Sequence, residues 1–373
     1  MAEVKKKSSL WGNLLLLFVV FVIGIIAVEF VLRFAWPGYQ CNPKMESLMT
    51  YDDSLGWIGK TDYKGLLIEG GLAVPAEMNG WGFRDDEPIT GAAAAGKRRL
   101  IFLGDSFMMG SGVEHQNRAS EVVEQLEPTC ISYNFGIHGY STDQELLALQ
   151  KYGPEVNPTD ILLFFCANDL IYNDSNLGHR VAKSHFRVVD DKLILGNVPV
   201  PRQPEPNAVR LWFTKRTAIG QILDRALALS AYQRGAEERH TGGDLGIGET
   251  DRERANLDSL LLYSETSNIS DLTYYLLREL RDEAQKSDAN LIVFSTPSSV
   301  HWTAERDETP AEIKRVLNWC ADLGIRSIDL FPYFYEDYQE NNELLYLSDK
   351  MHWNDRGNRL AAEVIQEQIL QTP

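Results

Sequence analysis

The chain has 373 residues and a formal net charge of −17, from 36 Lys and Arg against 53 Asp and Glu. It therefore lacks the basic face that a phosphate backbone requires, and nucleic acid is excluded as an expected partner. Nor does its charge draw it to an anionic membrane surface; the acidity bears on solubility and partner choice, not on fold. With 44% hydrophobic and 24% charged residues the composition is that of a folded protein, long enough for one large domain with appendages or two small ones.

The first element is apolar. Leu14 to Val28 is an unbroken hydrophobic run, which Trp11 and Phe30 to Phe34 extend to about 20 residues, enough to cross a hydrocarbon core of ~30 Å. Lys5, Lys6 and Lys7 precede it, so the positive-inside rule puts residues 1–10 in the cytoplasm and residues 11–35 across the membrane. Glu29 and Arg33 are spaced to pair at the outer boundary. A cleaved signal peptide or a buried core helix are the alternatives; Phe34-Ala35-Trp36 and Gly38-Tyr39-Gln40 fit a cleavage site poorly. The expected location is single-pass in the cytoplasmic membrane, with everything after Pro37 on the periplasmic or outer side.

Residues 36–97, rich in Gly, Asp and aromatics and ending in Gly91-Ala-Ala-Ala-Ala-Gly96, read as a membrane-proximal segment. The main domain is expected over 98–373. Strands are predicted at Arg99–Leu103, Ile131–Phe135, Asp160–Cys166, Leu291–Ser295 and Ile325–Leu330. Helices are predicted at Arg118–Leu126, Asp143–Tyr152, Ser270–Lys286, Pro310–Leu323 and Asp355–Leu370. Apolar strands alternating with helices indicate an α/β fold, a parallel sheet between two helical layers. Phe186–Val200 reads as a hairpin turning at Asp190-Asp191. An insertion at about 203–268 holds a helix near Thr217–Arg234 and a glycine-rich loop.

Four cysteines, Cys41, Cys130, Cys166 and Cys320, form no C-x-x-C pair, which argues against a structural zinc site or a thioredoxin-like motif. Cys130 and Cys166 read as small buried hydrophobes. No disulfide is assigned.

In a doubly wound sheet, ligands bind beyond the carboxyl ends of the strands. There the sequence places Gly104-Asp105-Ser106-Phe107, then Asn134-Phe135-Gly136-Ile137-His138-Gly139, then Cys166-Ala167-Asn168-Asp169, and finally Asp349-Lys350-Met351-His352. A hydroxyl, glycine amides, a carboxamide and an Asp/His pair are the parts of an acyl-transfer site. Taken singly each has a plainer reading. Ser106 and Asn168-Asp169 suit helix caps, Asp105 braces a loop, Gly136 and Gly139 permit tight turns, and His352 competes with His115, His138, His179, His185, His240 and His301. Of those six only His240 has an acid three residues before it, Glu237, and it lies in the insertion away from any strand end.

These blocks resemble the SGNH, or GDSL, hydrolase superfamily. Gly104-Asp105-Ser106 resembles its first motif, Gly139 its second, Asn168-Asp169 its third and Asp349-x-x-His352 its last, in the family's order, over roughly residues 98–371. The resemblance implies a flavodoxin-like three-layer domain with Ser106 as nucleophile, His352 as base and Asp349 orienting it. Its oxyanion donors would be the Ser106 and Gly139 amides and the Asn168 side chain. One departure is Cys166, where the family's third motif has glycine. The layout also resembles membrane-tethered members of bacterial envelope and exopolysaccharide systems.

The implied activity is ester hydrolysis on an acylated small molecule or carbohydrate. O-acyl transfer to a cell-envelope or exopolysaccharide acceptor is the alternative, and a silent polysaccharide-binding protein the rival from another class. No Gly-x-Ser-x-Gly elbow, His-Glu-x-x-His, Walker loop or dinucleotide fingerprint occurs, and neither metal nor cofactor is implied. The sequence names no protein partner.

Overall fold

The computed structural model describes residues 10–35, 48–69, 72–87, 96–178, 181–202, 212–213, 216–220, 222–223, 271–298, 308–347 and 351–371. They fall into two compact units, Met1–Glu46 with Pro204–Ile247, and Ser47–Gln203 with Gly248–Pro373.

In the first unit, helix α1 (Leu10–Ala35) contains a 24-residue apolar stretch, Trp11–Phe34, long enough to cross a membrane and with none of its length buried. Glu29 and Arg33 pair one turn apart at 2.8 Å. Most of the helix expected near Thr217–Arg234 lies outside the described residues; its start, at Ala218, is helical.

The second unit begins with two antiparallel hairpins, β1 (Met49–Asp52) with β2 (Gly56–Gly59) and β3 (Lys64–Glu69) with β4 (Leu72–Glu77). The α/β alternation follows: β5 (Arg98–Leu103), α2 (Ser106–Met109), α3 (Ala119–Leu126), β6 (Cys130–Asn134), α4 (Thr142–Val156), β7 (Asp160–Phe165) and α5 (Asp169–Tyr172). Two short strands, β8 (Leu177–Gly178) and β9 (Val181–Ala182), lead to the hairpin of β10 (His185–Val189) and β11 (Lys192–Gly196). The chain closes with α6 (Leu272–Lys286), β12 (Asn290–Ser295), α7 (Ala311–Asp322), β13 (Arg326–Ile328), α8 (Phe331–Asn341) and α9 (Asp355–Ile365).

Five strands form one parallel sheet in the order β13-β12-β7-β5-β6. Because helices cover both faces, successive strand residues are apolar whichever way they point. Ile101, Leu103, Ile161, Leu163 and Val293 pack with α4, α6 and α7. Leu100, Phe102, Leu162, Phe164, Ile292 and Phe294 pack with α3, α8 and α9. Phe102, Phe164 and Phe294 stack in a row across three strands, with centroids 5.7 and 4.9 Å apart. The result is the expected three-layer α/β/α domain. In chain order its strands run 2-1-3-4-5, which puts the topological switch point between β5 and β7.

This unit takes in the chain from Ser47 to Gln203, including the hairpins that precede the α/β alternation. Leu55, Trp57, Ile58 and Phe83 are buried in the same core as β5 and α4, and Phe83 stacks on Phe135 at 4.5 Å. The hairpin turn falls at Asp190-Asp191, both with positive φ (49° and 59°) as a type I′ turn requires. Asp191 accepts from the Tyr275 hydroxyl, which ties the hairpin to α6. β13 is shorter than the expected Ile325–Leu330, because Asp329 leaves the sheet to accept from Ser295 Oγ and Phe331 N.

Candidate active site

β5 delivers the chain into Gly104 and Asp105, whose carboxylate accepts from Phe107 N at 2.9 Å and so caps α2. This helix is a single turn, and two glycines let it sit close to the sheet. A Cβ on Gly104 would meet Met108 Cγ at 2.5 Å, and one on Gly136 would meet the Met109 backbone nitrogen at 2.4 Å. A four-residue helix leaves its carbonyls without helical partners. Buried Arg84 serves the last of them, Met109 O (3.1 Å), and also donates to Gly110 O (2.7 Å), Val113 O (2.9 Å) and Pro75 O (2.9 Å). Burial lowers its pKa to about 9.

His352 reaches the same point from 246 residues away. Its Nε2 lies 2.7 Å from Ser106 Oγ, inside the range of a nucleophile and its base. Ser106 is 7% exposed and His352 5%. The backbone around His352 is pinned at successive residues. The His352 carbonyl accepts from Leu347 N (2.8 Å), Trp353 Nε1 donates to Pro297 O (2.8 Å), and Asn354 caps α9 by accepting from Gly357 N (3.0 Å). The Phe107 ring packs on both His352 and Trp353, with centroids 5.2 and 5.3 Å away. Asp349, the residue expected to orient His352, lies outside the described residues.

The Gly139 loop is tied to the nucleophile turn. Asn134 Nδ2 donates to Met108 O (2.8 Å) and its Oδ1 accepts from Gly136 N (2.9 Å), while Ile137 N donates to Gly104 O (3.2 Å). Gly139 has φ 74°, a conformation other residues rarely adopt. From the far side Trp57 Nε1 donates to His138 O (3.0 Å), and the Tyr140 hydroxyl donates to Trp57 O (2.6 Å). Asn168 stands just beyond the end of β7 as the residue before α5, with its side chain near enough to Asp105 to favour that carboxylate, which burial otherwise pushes above its usual range. Cys166 does not disturb this loop: its N–H donates to Asp169 Oδ2 (3.2 Å), and Asp169 N donates back to Cys166 O (3.0 Å). The structure thus brings Ser106 against His352, ties the Gly139 loop to the Ser106 turn, and sets Asn168 just beyond the neighbouring strand.

Behind the site lies a buried charge cluster. Lys183 Nζ pairs with Asp143 Oδ2, both side chains fully enclosed, and Asp143 also accepts from Ser141 Oγ (2.9 Å) and Gln144 N (2.8 Å). Glu145 and Asp169 are buried beside it, with both Glu145 oxygens and Asp169 Oδ1 lacking hydrogen-bond partners. Burial, reinforced by neighbouring carboxylates, pushes Glu145 and Asp169 well above the usual carboxylate range. Elsewhere Asp86, His115 and Glu121 converge within 4.8 Å, a metal-ligating set among the described residues. Arg118 already fills part of it, its Nη2 lying 3.0 Å from His115 Nδ1 and 2.7 Å from Glu121 Oε1.

Arg84, Asp143, Glu145 and Lys183 were not candidates from sequence. The available signals were a charge inside the aromatic run Trp81-Gly-Phe-Arg84 and the acids in Ser141-Thr-Asp-Gln-Glu145 just after Gly139.

No family model matches the chain, and no curated protein matches it significantly. Among solved structures it is similar to a lipolytic protein of the G-D-S-L family from Veillonella parvula, at 13% identity over 74% of this chain and 100% of that one, with TM-score 0.39. It is likewise similar to a lipase/acylhydrolase from Enterococcus faecalis (15% identity, 73% and 95% covered, TM-score 0.39). An acetyl xylan esterase is a third (14% identity, 73% and 99% covered, TM-score 0.36). Likeness at this level leaves the chemistry to be argued from this chain's own residues.

Proposed function

We propose that the protein is a serine-dependent acyl ester hydrolase of the SGNH type, held to the membrane by α1 and acting outside the cytoplasm on an acylated carbohydrate or small molecule. The observation that carries this reading is the 2.7 Å pairing of Ser106 Oγ with His352 Nε2 at the carboxyl edge of the sheet, beside its switch point.

In this mechanism Ser106 Oγ attacks the ester carbonyl while His352 Nε2 takes its proton. The tetrahedral oxyanion is received by the Ser106 and Gly139 amides and the Asn168 side chain. Collapse expels the alcohol, which leaves with the proton from His352, and an acyl-serine remains. Water, deprotonated by the same histidine, then releases the acid and regenerates Ser106. Proton transfer by a positioned histidine contributes about 10²–10⁴-fold. Asp349 is assigned the orienting role by its place in the last motif. If a sugar hydroxyl replaces water in the second half, the same residues perform O-acyl transfer.

The test is turnover of p-nitrophenyl acetate by the full chain and by Ser106→Ala, with and without oligosaccharide acceptors. Turnover that disappears in Ser106→Ala, together with acylated Ser106 by mass spectrometry, supports the reading. Free acid as product selects hydrolysis, and acylated oligosaccharide selects transfer. No turnover and no acyl-serine with any donor would leave the non-catalytic polysaccharide-binding reading in its place.

A further inference from the structure

Glu29 sits on α1, 18 residues after Trp11, which at ~1.5 Å per residue is a rise of about 27 Å. That is close to the ~30 Å of a hydrocarbon core, so Glu29 and Arg33 fall at its outer boundary if α1 spans. Both side chains are engaged within their own unit. The Glu29 carboxylate accepts from Ala218 N (2.9 Å) and Ile219 N (3.0 Å) as well as from Arg33, and Arg33 Nη2 donates to Arg216 O (2.8 Å). Thr217 adds to this by accepting from Gly220 N through Oγ1 (2.9 Å) and donating to Phe213 O (2.8 Å). Three consecutive N–H groups at the start of a helical turn are therefore satisfied, two of them by a carboxylate of the anchor. A carboxylate at that end also meets the positive pole of the helix.

The close fit depends on Gly220, where a Cβ would meet the Phe213 carbonyl oxygen at 2.3 Å. While Ala218 and Gly220 turn inward, Trp212, Phe213, Ile222 and Leu223 are exposed, Trp212 by 54% and Leu223 by 49%. Water would satisfy a helix end at an aqueous surface at no cost. In a low-dielectric layer an unpaired N–H is costly, so complete pairing is what that layer demands. Aromatic and aliphatic side chains beside the outer end of a spanning helix suit the same layer.

We propose that residues 212–213, 216–220 and 222–223 lie in the outer interface of the bilayer, clasped to α1 by Glu29 and Arg33, with Trp212, Phe213, Ile222 and Leu223 in contact with lipid. The occupant of this apolar surface is the acyl and headgroup boundary, continuous with the lipid around α1. The inference rests on the reading of α1 as a membrane span.

The experiment uses the full chain in lipid nanodiscs, with Cys41→Ser and the buried Cys130, Cys166 and Cys320 retained. An environment-sensitive fluorophore is attached at Leu223→Cys or at Gly24→Cys, the latter a position with no atom within 4 Å of an added Cβ. Lipids brominated either near the headgroup end or near the tip of the acyl chain serve as quenchers. The Gly24 probe is expected to be quenched most by the chain-tip bromines. The Leu223 probe should respond to the headgroup-end bromines, lose that response in Glu29→Ala, and keep part of it in Glu29→Gln. Quenching at Gly24 with none at Leu223 overturns the inference and leaves the anchor standing, pointing to a protein partner or water over this surface. Quenching at Leu223 that survives Glu29→Ala overturns the clasp. Quenching at neither site overturns the span and the inference together.

Discussion

Lys183 and Asp143 form an ion pair with no exposure on either side chain, and Lys183→Met leaves the carboxyl enclosed without its cation. Removing one partner of a buried pair costs about 3–5 kcal/mol. The hydrogen bonds from Ser141 Oγ and Gln144 N remain, so the carboxyl can still be held, and it escapes the charge penalty by keeping a proton. Burial already pushes Asp143 above its ordinary 3.8, while Lys183 pulls it down; losing the lysine raises it further. The folded variant then binds a proton that the unfolded chain releases, so its stability falls as pH rises, by ~1.36 kcal/mol per unit. Relative to wild type the deficit therefore opens as pH rises past the point where wild-type Asp143 ionises, and levels off near ~3–5 kcal/mol. Lys183→Met should melt nearest to wild type at the acid end of a pH series and furthest below it, on the order of 10 °C, at the alkaline end. Intrinsic-fluorescence melting of the full chain in detergent across that series measures it, with Asp143→Asn/Lys183→Met as the control whose deficit stays flat. A Lys183→Met deficit of the same size at every pH would refute the electrostatic account and assign the loss to packing.

Asn168→Ala should lower kcat about 10²–10³-fold with KM little changed, because an oxyanion donor acts only as charge develops; steady-state kinetics would show an equal loss in both parameters if Asn168 merely shaped the pocket. Arg84→Met strands three buried carbonyls, those of Met109, Gly110 and Val113, and should destabilise by about 3–5 kcal/mol, with Arg84→Lys a poor rescue because one ammonium cannot span them; urea unfolding checks both. Burial raises Glu124 from 4.5 to about 7, so the folded state retains its proton and stability falls as pH rises through that interval. Glu124→Gln, which still accepts from Ser132 N, should remove that slope and melt higher than wild type above pH ~7.

The layers were legible because a strand covered on both faces must be apolar along its covered length, and residues 100–103, 161–165 and 291–294 are unbroken apolar runs. Ser106 and His352 were legible for another reason: each stands just beyond a strand end or before a capped helix, where chemistry-bearing side chains collect. The hairpins from Met49 to Glu77 were not, since strands of four to six residues among Gly and Asp carry too little alternation to stand out. α8 escaped notice because Phe331–Asn341 mixes aromatics and acids with few strong helix formers and depends on Asp329 to begin. Arg84 showed only as a charge closing an aromatic run, and Lys183 could not be read at all. An isolated cation in a sequence is ordinarily solvated, and only the fold shows which carbonyls or carboxylate enclose it.

A one-turn helix is unstable alone, so the position of Ser106 must be imposed by its surroundings. Four independent contacts do this: Asp105 at the amide end, Arg84 at the carbonyl end, Asn134 on Met108 O, and the close approach at Gly136. Three of the four come from residues outside the motif that carries the serine. On the proposed mechanism, Ser106 is thus placed during folding, and binding energy from substrate is not needed to achieve it. Disturbance of these supports should therefore appear in kcat before KM, since bound substrate would meet a misplaced hydroxyl rather than an altered pocket. Asp105 is the support nearest to Ser106, since its carboxylate caps α2 one residue away. Asp105→Ala should therefore lower kcat with KM little changed in steady-state kinetics, and a rise in KM with kcat intact would refute this account of how Ser106 is held.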